Sequence, residues 1–508
     1  MNFRRRYLPA IAAGALALGA ITVVTATAQA DTSSIKWKPC GDVKNVQCAK
    51  ITVPVDWSKP DGEKIKIGIA KRDATDPDHR IGSIVADPGG PGGSGVDMVK
   101  GESPFTDKVN KRFDIIGFDP RGVNTSTQVK CDEKLSNKAA ALLHPTDQKS
   151  FDALKAANRA VYKDCGKRSG AINDHADNLQ TVEDIEAVRK ALGEKKLNWL
   201  GYSYGTLMGQ QYAAAYPKHI RAMVLDGNMD HSIDNAWDFL KTEAAPVEKT
   251  FVEMSDWCAK ESKCALHDQD VKKVYASLKD KARKGTLTDP ESGDKIGFHD
   301  LAGVTFGGVI DPSGWSDLAK TYQSLDAGKG KVNRSLGDRA DKVINNVFQS
   351  AFCGDWKLPV KDYKAYKSLE SRVAKENPNI EWSPYDDTAA QCVGYAVKTH
   401  NPQGPLEVKG APPLVMIGNI HDPATAYPWS VNAAKQTGSH LITYEGYDHT
   451  VYGNGRPSTC VNDAVDAYLI DLKVPAEGLT CKNTQFPTSA SGKADHAGPD
   501  SGGPFMAG

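Results

Sequence analysis

One short stretch restricts the fold more than any other. Leu197-Asn198-Trp199-Leu200 has the composition of a buried strand, and Gly201-Tyr202-Ser203-Tyr204-Gly205 follows at once. Residues 207–215 then continue as a helix. A chain that passes from strand to helix in so few residues needs glycine on both sides of the turn. Without a Cβ the backbone can bend sharply and the helix can pack close to the strand. The serine between the glycines is lifted onto the turn, where a base and an acyl substrate can reach it together. A serine hydroxyl is a weak nucleophile until a neighbouring base accepts its proton, so the rest of the chain must supply that base and an acid to orient it.

The surrounding pattern is consistent with a layered α/β domain. Residues 51–55 and the alternating Ile65, Ile67 and Ile69 predict two half-buried strands, and the apolar runs 81–86, 113–118 and 220–225 predict three more. Between them, Leu179, Val182, Ile185, Val188 and Leu192 recur at helical spacing over 177–192. Strands alternating with helices predict a mostly parallel sheet. The rhythm breaks near Asp230. From there to about His400 the sequence is helical, aromatic and charged and holds four of the ten cysteines. It resumes with Pro413-Leu414-Val415-Met416-Ile417-Gly418, a helix, the strand 440–444 and an amphipathic helix over 462–472. The predicted division is a leader 1–30, a first core segment 31–232, a helical cap insertion 233–400, a second core segment 401–485 and a disordered tail 486–508 rich in Ser, Gly, Ala and Pro.

The leader carries Arg4, Arg5 and Arg6, an apolar Ala-rich stretch over 8–24 and the small-residue site Ala28-Gln29-Ala30. That is the pattern of a secretory signal peptide cut after Ala30. Export to an oxidising compartment suits ten cysteines read as structural. Proximity along the chain favours the pairs Cys40–Cys48, Cys131–Cys165, Cys258–Cys264, Cys353–Cys392 and Cys460–Cys481, although other connectivities are open. No CxxC or HExxH pattern points to a metal, and no metal or organic cofactor is expected. Lys plus Arg and Asp plus Glu both total 63, so the formal net charge is zero and the basic surplus expected of a nucleic-acid partner is absent.

In a parallel sheet the functional groups gather beyond the carboxyl ends of the strands. His449, in Tyr447-Asp448-His449-Thr450, follows the last predicted strand, and Asp422, in Asn419-Ile420-His421-Asp422-Pro423-Ala424-Thr425, follows the one before. Ser203, Asp422 and His449 are thus the expected nucleophile, acid and base, in the chain order nucleophile, acid, histidine. His421 as base and Asp448 as acid are the rivals. A second glycine cluster, Asp87-Pro88-Gly89-Gly90-Pro91-Gly92-Gly93-Ser94-Gly95, follows the strand 81–86. No GK[ST] follows it, which argues against a phosphate loop. The expected role is half of an oxyanion hole, with the Gly90 N–H joining that of Tyr204.

With these motifs in order the chain resembles the bacterial secreted tripeptidyl aminopeptidases, in the prolyl-iminopeptidase branch of the α/β-hydrolases. The resemblance rests on the glycine loop 88–95, on Gly117-Phe118-Asp119-Pro120-Arg121-Gly122, on Gly201-Tyr202-Ser203-Tyr204-Gly205-Thr206, on Asp422-Pro423-Ala424-Thr425 and His449, and on Cys460 and Cys481. It implies an α/β-hydrolase fold with a helical cap that limits the cleft. It also implies an exopeptidase acting on peptides with a free amino terminus. The iminopeptidase loop begins His-Gly-Gly-Pro-Gly. Pro88 stands in place of that histidine here, which argues against simple release of proline. Asp119 and Arg121 are expected to brace the loop after their strand as a pair. An aminopeptidase also needs a carboxylate for the substrate ammonium. Glu243, Glu248 and Glu253 of the first cap helix come into view, but their five-residue steps spread them over different faces, as solvated surface charges would be. An esterase or small-molecule amidase with the same triad, and a non-catalytic binding protein that keeps the fold, are the alternative readings.

Overall fold

The computed structural model describes residues 35–101, 103–329, 343–453 and 458–482. The expected leader and the tail from 486 lie outside the described residues. Among the described residues ten strands form one sheet: β1 (Lys38–Pro39), β2 (Gln47–Pro54), β3 (Lys64–Arg72), β4 (Gly82–Asp87), β5 (Phe113–Phe118), β7 (Leu197–Tyr202), β8 (Ile220–Asp226), β10 (Val415–His421), β11 (His440–Tyr447) and β12 (Thr480–Lys482). The remaining two, β6 (Lys130–Asp132) and β9 (Val343–Asn345), pair with each other apart from it. The main sheet runs β1-β2-β3-β5-β4-β7-β8-β10-β11-β12. The pairings from β1 to β5 along that order are antiparallel, and those from β5 to β12 are parallel. This is the α/β-hydrolase fold that the sequence predicts.

Every residue of β4, β5 and β7 is buried, because helices cover both faces of the sheet. Successive side chains point to opposite faces, and they separate into two cores accordingly. Val85, Ile116, Trp199 and Met223 enter one apolar cluster, while their neighbours Ile84, Ile115, Leu200 and Val224 enter the other. The edge strands β1 and β12 have no signal of their own in the sequence, being two and three residues long.

The residues between β8 and β10 divide between two bodies. The helices Ala236–Lys260, Val271–Arg283, Phe298–Val309 and Trp315–Ala327 share a third core around Phe251, Tyr275, Leu301, Trp315 and Tyr322. Later helices return to the sheet domain. Phe348, Phe352 and Trp356, four residues apart, form a stripe whose rings stack at 5.5 and 5.7 Å, and that stripe belongs to the first sheet core. All ten cysteines are paired as proximity favours: Cys40–Cys48, Cys131–Cys165, Cys258–Cys264, Cys353–Cys392 and Cys460–Cys481.

Candidate active site

The turn between β7 and the helix Tyr204–Ala215 has the geometry its glycines imply. A Cβ on Gly201 would lie 2.3 Å from the Gly205 carbonyl oxygen, and one on Gly205 would lie 2.9 Å from the Asp87 carbonyl oxygen. Ser203 at its apex has φ 52° and ψ −121°, a conformation that costs a non-glycine residue of order 1–3 kcal/mol. Backbone bonds hold it there. Its N–H donates to the Asp226 carbonyl at 2.9 Å, and its own carbonyl accepts from the Thr206 N–H at 2.9 Å and the Thr206 hydroxyl at 2.5 Å. Ser203 is partly exposed while the residues on both sides are buried.

Asp422 and His449 follow β10 and β11, at the same end of the sheet. His449 Nδ1 lies 3.0 Å from Asp422 Oδ1 and 2.9 Å from Oδ2. The carboxylate is fully buried and held by three more donors: the Ala424 and Thr425 amides, each 2.8 Å from Oδ1, and the Thr425 hydroxyl, 2.9 Å from Oδ2. A proton on Nδ1 is therefore drawn to Asp422, and Nε2 is left with the lone pair that a general base needs. Burial opposes a charged imidazole here. The carboxylate of Asp422, with Asp448 and Asp226 adding to it, outweighs burial and raises His449 above its ordinary 6.5. Gly227 fixes where the ring sits, since a Cβ there would lie 3.2 Å from His449 Cε1. Ser203 and His449 thus meet the chain at adjacent residues, 226 and 227.

The two expected oxyanion segments touch. Gly89, Gly90 and Gly92 have φ of 90°, 113° and 112°, and a Cβ on Gly89 would lie 2.4 Å from the Tyr202 carbonyl and 2.7 Å from the Tyr204 nitrogen. The loop is tied from below by Asp87, whose Oδ1 accepts the Gly89 N–H at 2.8 Å. Burial, only partly offset by that N–H, pushes the Asp87 carboxyl well above the usual range.

Asp119 and Arg121 do not pair with each other, contrary to expectation. Asp119 accepts from the Ser94 hydroxyl at 2.6 Å, the Val96 amide at 3.0 Å, and the Thr125 amide and hydroxyl at 3.0 and 2.6 Å. It thereby ties the glycine loop to the turn after β5. Arg121 makes a buried two-pronged bond to Asp184 at 2.7 and 2.8 Å and donates to the carbonyls of Pro54, Val55 and His175. With the nearby aspartate already saturated by short-range donors, the guanidinium takes its partner from the helix Asn178–Ala191.

Nor are the three glutamates of the helix Ala236–Lys260 solvated surface charges. The first half of this helix packs on the sheet core through Phe239, Leu240 and Ala244 and the second half on the cap core through Phe251, Met254 and Cys258, so few of its faces meet water. Glu243 is fully buried and accepts the Ala426 N–H at 2.7 Å, and burial pushes its carboxyl well above the usual range. Glu248 accepts from the amides of Asn379 and Ile380 and from the Asn379 side chain. Glu253 accepts the Tyr447 hydroxyl at 2.9 Å and lies 3.3 Å from His421 Nε2. Burial favours its neutral form, but His421 and Tyr447 outweigh burial and hold the carboxyl below the usual range.

The rivals face elsewhere. His421 directs Nδ1 to the Gly446 carbonyl at 2.7 Å and stacks on Tyr447 at 4.3 Å. Asp448 Oδ1 accepts the N–H of His449 itself at 2.7 Å, a backbone role. Sequence reasoning assigns no role to Asp226, the last residue of β8, or to Thr425, three residues beyond Asp422.

Comparison with known proteins identifies the family. The family model for the α/β-hydrolase fold matches residues 84–243, and that for TAP-like proteins matches residues 378–481. The serine protease Hip1 of Mycobacterium tuberculosis is 30% identical over 481 residues, covering 88% of this chain and 91% of its own. The tripeptidyl aminopeptidase of Streptomyces lividans is 29% identical over 478 residues, covering 90% and 88%. A carboxylesterase B of Mycobacterium tuberculosis is 28% identical over 474 residues, covering 88% and 89%. The chain belongs to the tripeptidyl-aminopeptidase-like family of α/β-hydrolase serine peptidases.

Proposed function

We propose that this chain is a secreted serine exopeptidase that releases short peptides, tripeptides in the first place, from free amino termini. The observation that carries the reading is the bond from His449 to the buried Asp422, at the same end of the sheet as a serine in a strained turn. Ser203 Oγ attacks the scissile carbonyl while His449 Nε2 accepts its proton, and Asp422 stabilises the imidazolium that forms. The amides of Gly90 and Tyr204 receive the oxyanion. His449 then protonates the leaving amine, and water hydrolyses the acyl-enzyme by the same path in reverse.

Of the three cap carboxylates, Glu253 best fits the substrate ammonium. Glu248 is engaged by two backbone amides and a side-chain amide, against one hydroxyl and the His421 ring at Glu253, and Glu243 is driven toward its neutral form. Glu253 is half-buried and held ionised at the seam between cap and sheet. The leader pattern of residues 1–30 and the five disulfides support secretion. No helix among the described residues is long and apolar enough to cross a membrane.

The carboxylesterase relative favours a second reading, an esterase with the same triad. Fluorogenic tripeptide amides with free and with blocked amino termini separate the two. Cleavage of the free-amine forms alone supports the exopeptidase. Equal cleavage of blocked forms, or turnover of esters alone, overturns it.

A further inference from the structure

Asp226, the last residue of β8, touches both halves of the catalytic apparatus through different groups. Its main-chain carbonyl accepts the Ser203 N–H at 2.9 Å. Its side-chain Oδ2 accepts the N–H of Val451 at 2.7 Å and that of Tyr452 at 2.8 Å, two and three residues beyond His449. The carboxyl is buried. We propose that Asp226 is a positioning residue whose carboxylate fixes the His449 loop at a set distance from Ser203. The inference rests on the triad reading above.

Three observations make such an anchor necessary. Asp448 and Thr450, on either side of His449, have φ of 94° and 67°. A β-branched threonine does not adopt that region without support, so the loop would relax if its far end were released. Asp226 grips that far end. Tyr202, the residue before the serine, adds a second tie, its hydroxyl donating to the Tyr452 carbonyl at 3.0 Å. Gly227, next to Asp226, leaves room for the imidazole: a Cβ there would lie 3.2 Å from His449 Cε1 and 2.8 Å from Thr425 Oγ1.

The two functions of Asp226 are chemically separable. Any residue at 226 offers a carbonyl to Ser203, whereas only an acceptor side chain can hold the two amides. The carboxylate also adds negative charge near the base. Among the described residues, the charged groups that bear on the imidazole are Asp422 from the β10 end, Asp448 from its own loop and Asp226 from β8, and all three favour its protonated form. Beyond Asp422 lies Glu243 of the cap helix.

The test compares the whole mature chain with Asp226→Ala and the isosteric Asp226→Asn. The readouts are kcat and KM on a tripeptide amide, the pH dependence of kcat/KM, and the rate of labelling by a fluorophosphonate. Loss of the anchor in Asp226→Ala should lower kcat by ~10²-fold, the scale of an ångström-sized misplacement, with KM little changed. Asp226→Asn keeps an acceptor oxygen but loses the charge. It should retain most of kcat and move the acidic limb of the profile to lower pH, which a merely structural role would not do. Should the alanine variant fail to fold, the asparagine variant decides alone. An unmoved limb in a folded Asp226→Asn, or unchanged kcat and labelling in a folded Asp226→Ala, overturns the inference. If the wild-type enzyme itself is not labelled at Ser203, the triad reading beneath it falls instead.

Discussion

The His449 Nδ1 atom lies 3.0 and 2.9 Å from the two carboxylate oxygens of Asp422, across 27 residues of chain. The pairing leaves the ring one useful tautomer. Asp422→Asn would present an amide N–H to Nδ1 and favour the wrong tautomer while preserving shape. In chymotrypsin-type enzymes the equivalent change lowers kcat by about 10⁴-fold. A comparable fall is expected here, with an unchanged thermal melt. His421→Ala, which removes a ring bonded to Gly446 and Glu253, should cost less than about tenfold by comparison. Steady-state kinetics of the two variants checks both.

The pH dependence follows from the charges around His449. The base must be neutral to accept the serine proton, so activity rises with pH as the imidazole loses its proton. Asp422, Asp448 and Asp226 raise its affinity for that proton above the ordinary 6.5, against the opposing effect of burial. The acidic limb of kcat/KM should therefore have its midpoint above 6.5. A midpoint at or below that value would contradict the electrostatics of the site.

Gly89 admits no side chain. A Cβ would lie 2.4 Å from the Tyr202 carbonyl oxygen, an atom of the backbone that cannot swing aside, and φ is 90°. Gly89→Ala should push the glycine loop away from the Tyr204 amide. The loss of one oxyanion donor is worth about 10²–10³ in kcat, so a decrease of that size is expected, with binding of a substrate-like inhibitor less affected.

Arg121 and Asp184 form an ion pair with both side chains fully buried. Arg121→Met would strand a buried carboxylate, at a cost of about 3–5 kcal/mol, and should lower the melting temperature sharply. Replacing both residues, as Arg121→Met with Asp184→Leu, should recover part of that loss. Calorimetry of the single and double variants measures the difference.

The parts of the site legible in the sequence are those fixed by local geometry. Ser203 can be located because a strand, two glycines and a helix surround it. Asp422 and His449 follow because strand ends in a parallel sheet converge. What sequence does not convey is partnership over distance. Arg121 stands two residues from Asp119, and proximity suggests a pair. Asp119 is instead satisfied by Ser94, Val96 and Thr125, and Arg121 bonds to Asp184 in the helix Asn178–Ala191. The glutamates of the helix Ala236–Lys260 read as solvated because five-residue spacing distributes them around the helix. The helix in fact packs on the sheet core along its first half and on the cap core along its second, which periodicity along one segment cannot reveal. The stripe Phe348, Phe352 and Trp356 is visible as a helical face, but its choice of the sheet core over the cap core depends on Phe239, 5.0 Å from Trp356 and more than a hundred residues earlier. Asp226 is hidden for a similar reason, since its carboxylate serves amides that lie 225 and 226 residues further on.

The central claim is that Ser203 is the nucleophile, and covalent trapping tests it most directly. The mature enzyme is treated with a fluorophosphonate, digested, and read by mass spectrometry, alongside Ser203→Ala assayed on a free tripeptide amide. The account predicts one adduct, on the peptide containing Ser203, stoichiometric with lost activity, and a fall in kcat of ~10⁶-fold in the variant, as for loss of the serine in subtilisin. An adduct on another residue, or a Ser203→Ala enzyme that keeps more than about a tenth of its activity, would contradict it, because the measured cost of losing the nucleophile in subtilisin is larger by about five orders of magnitude.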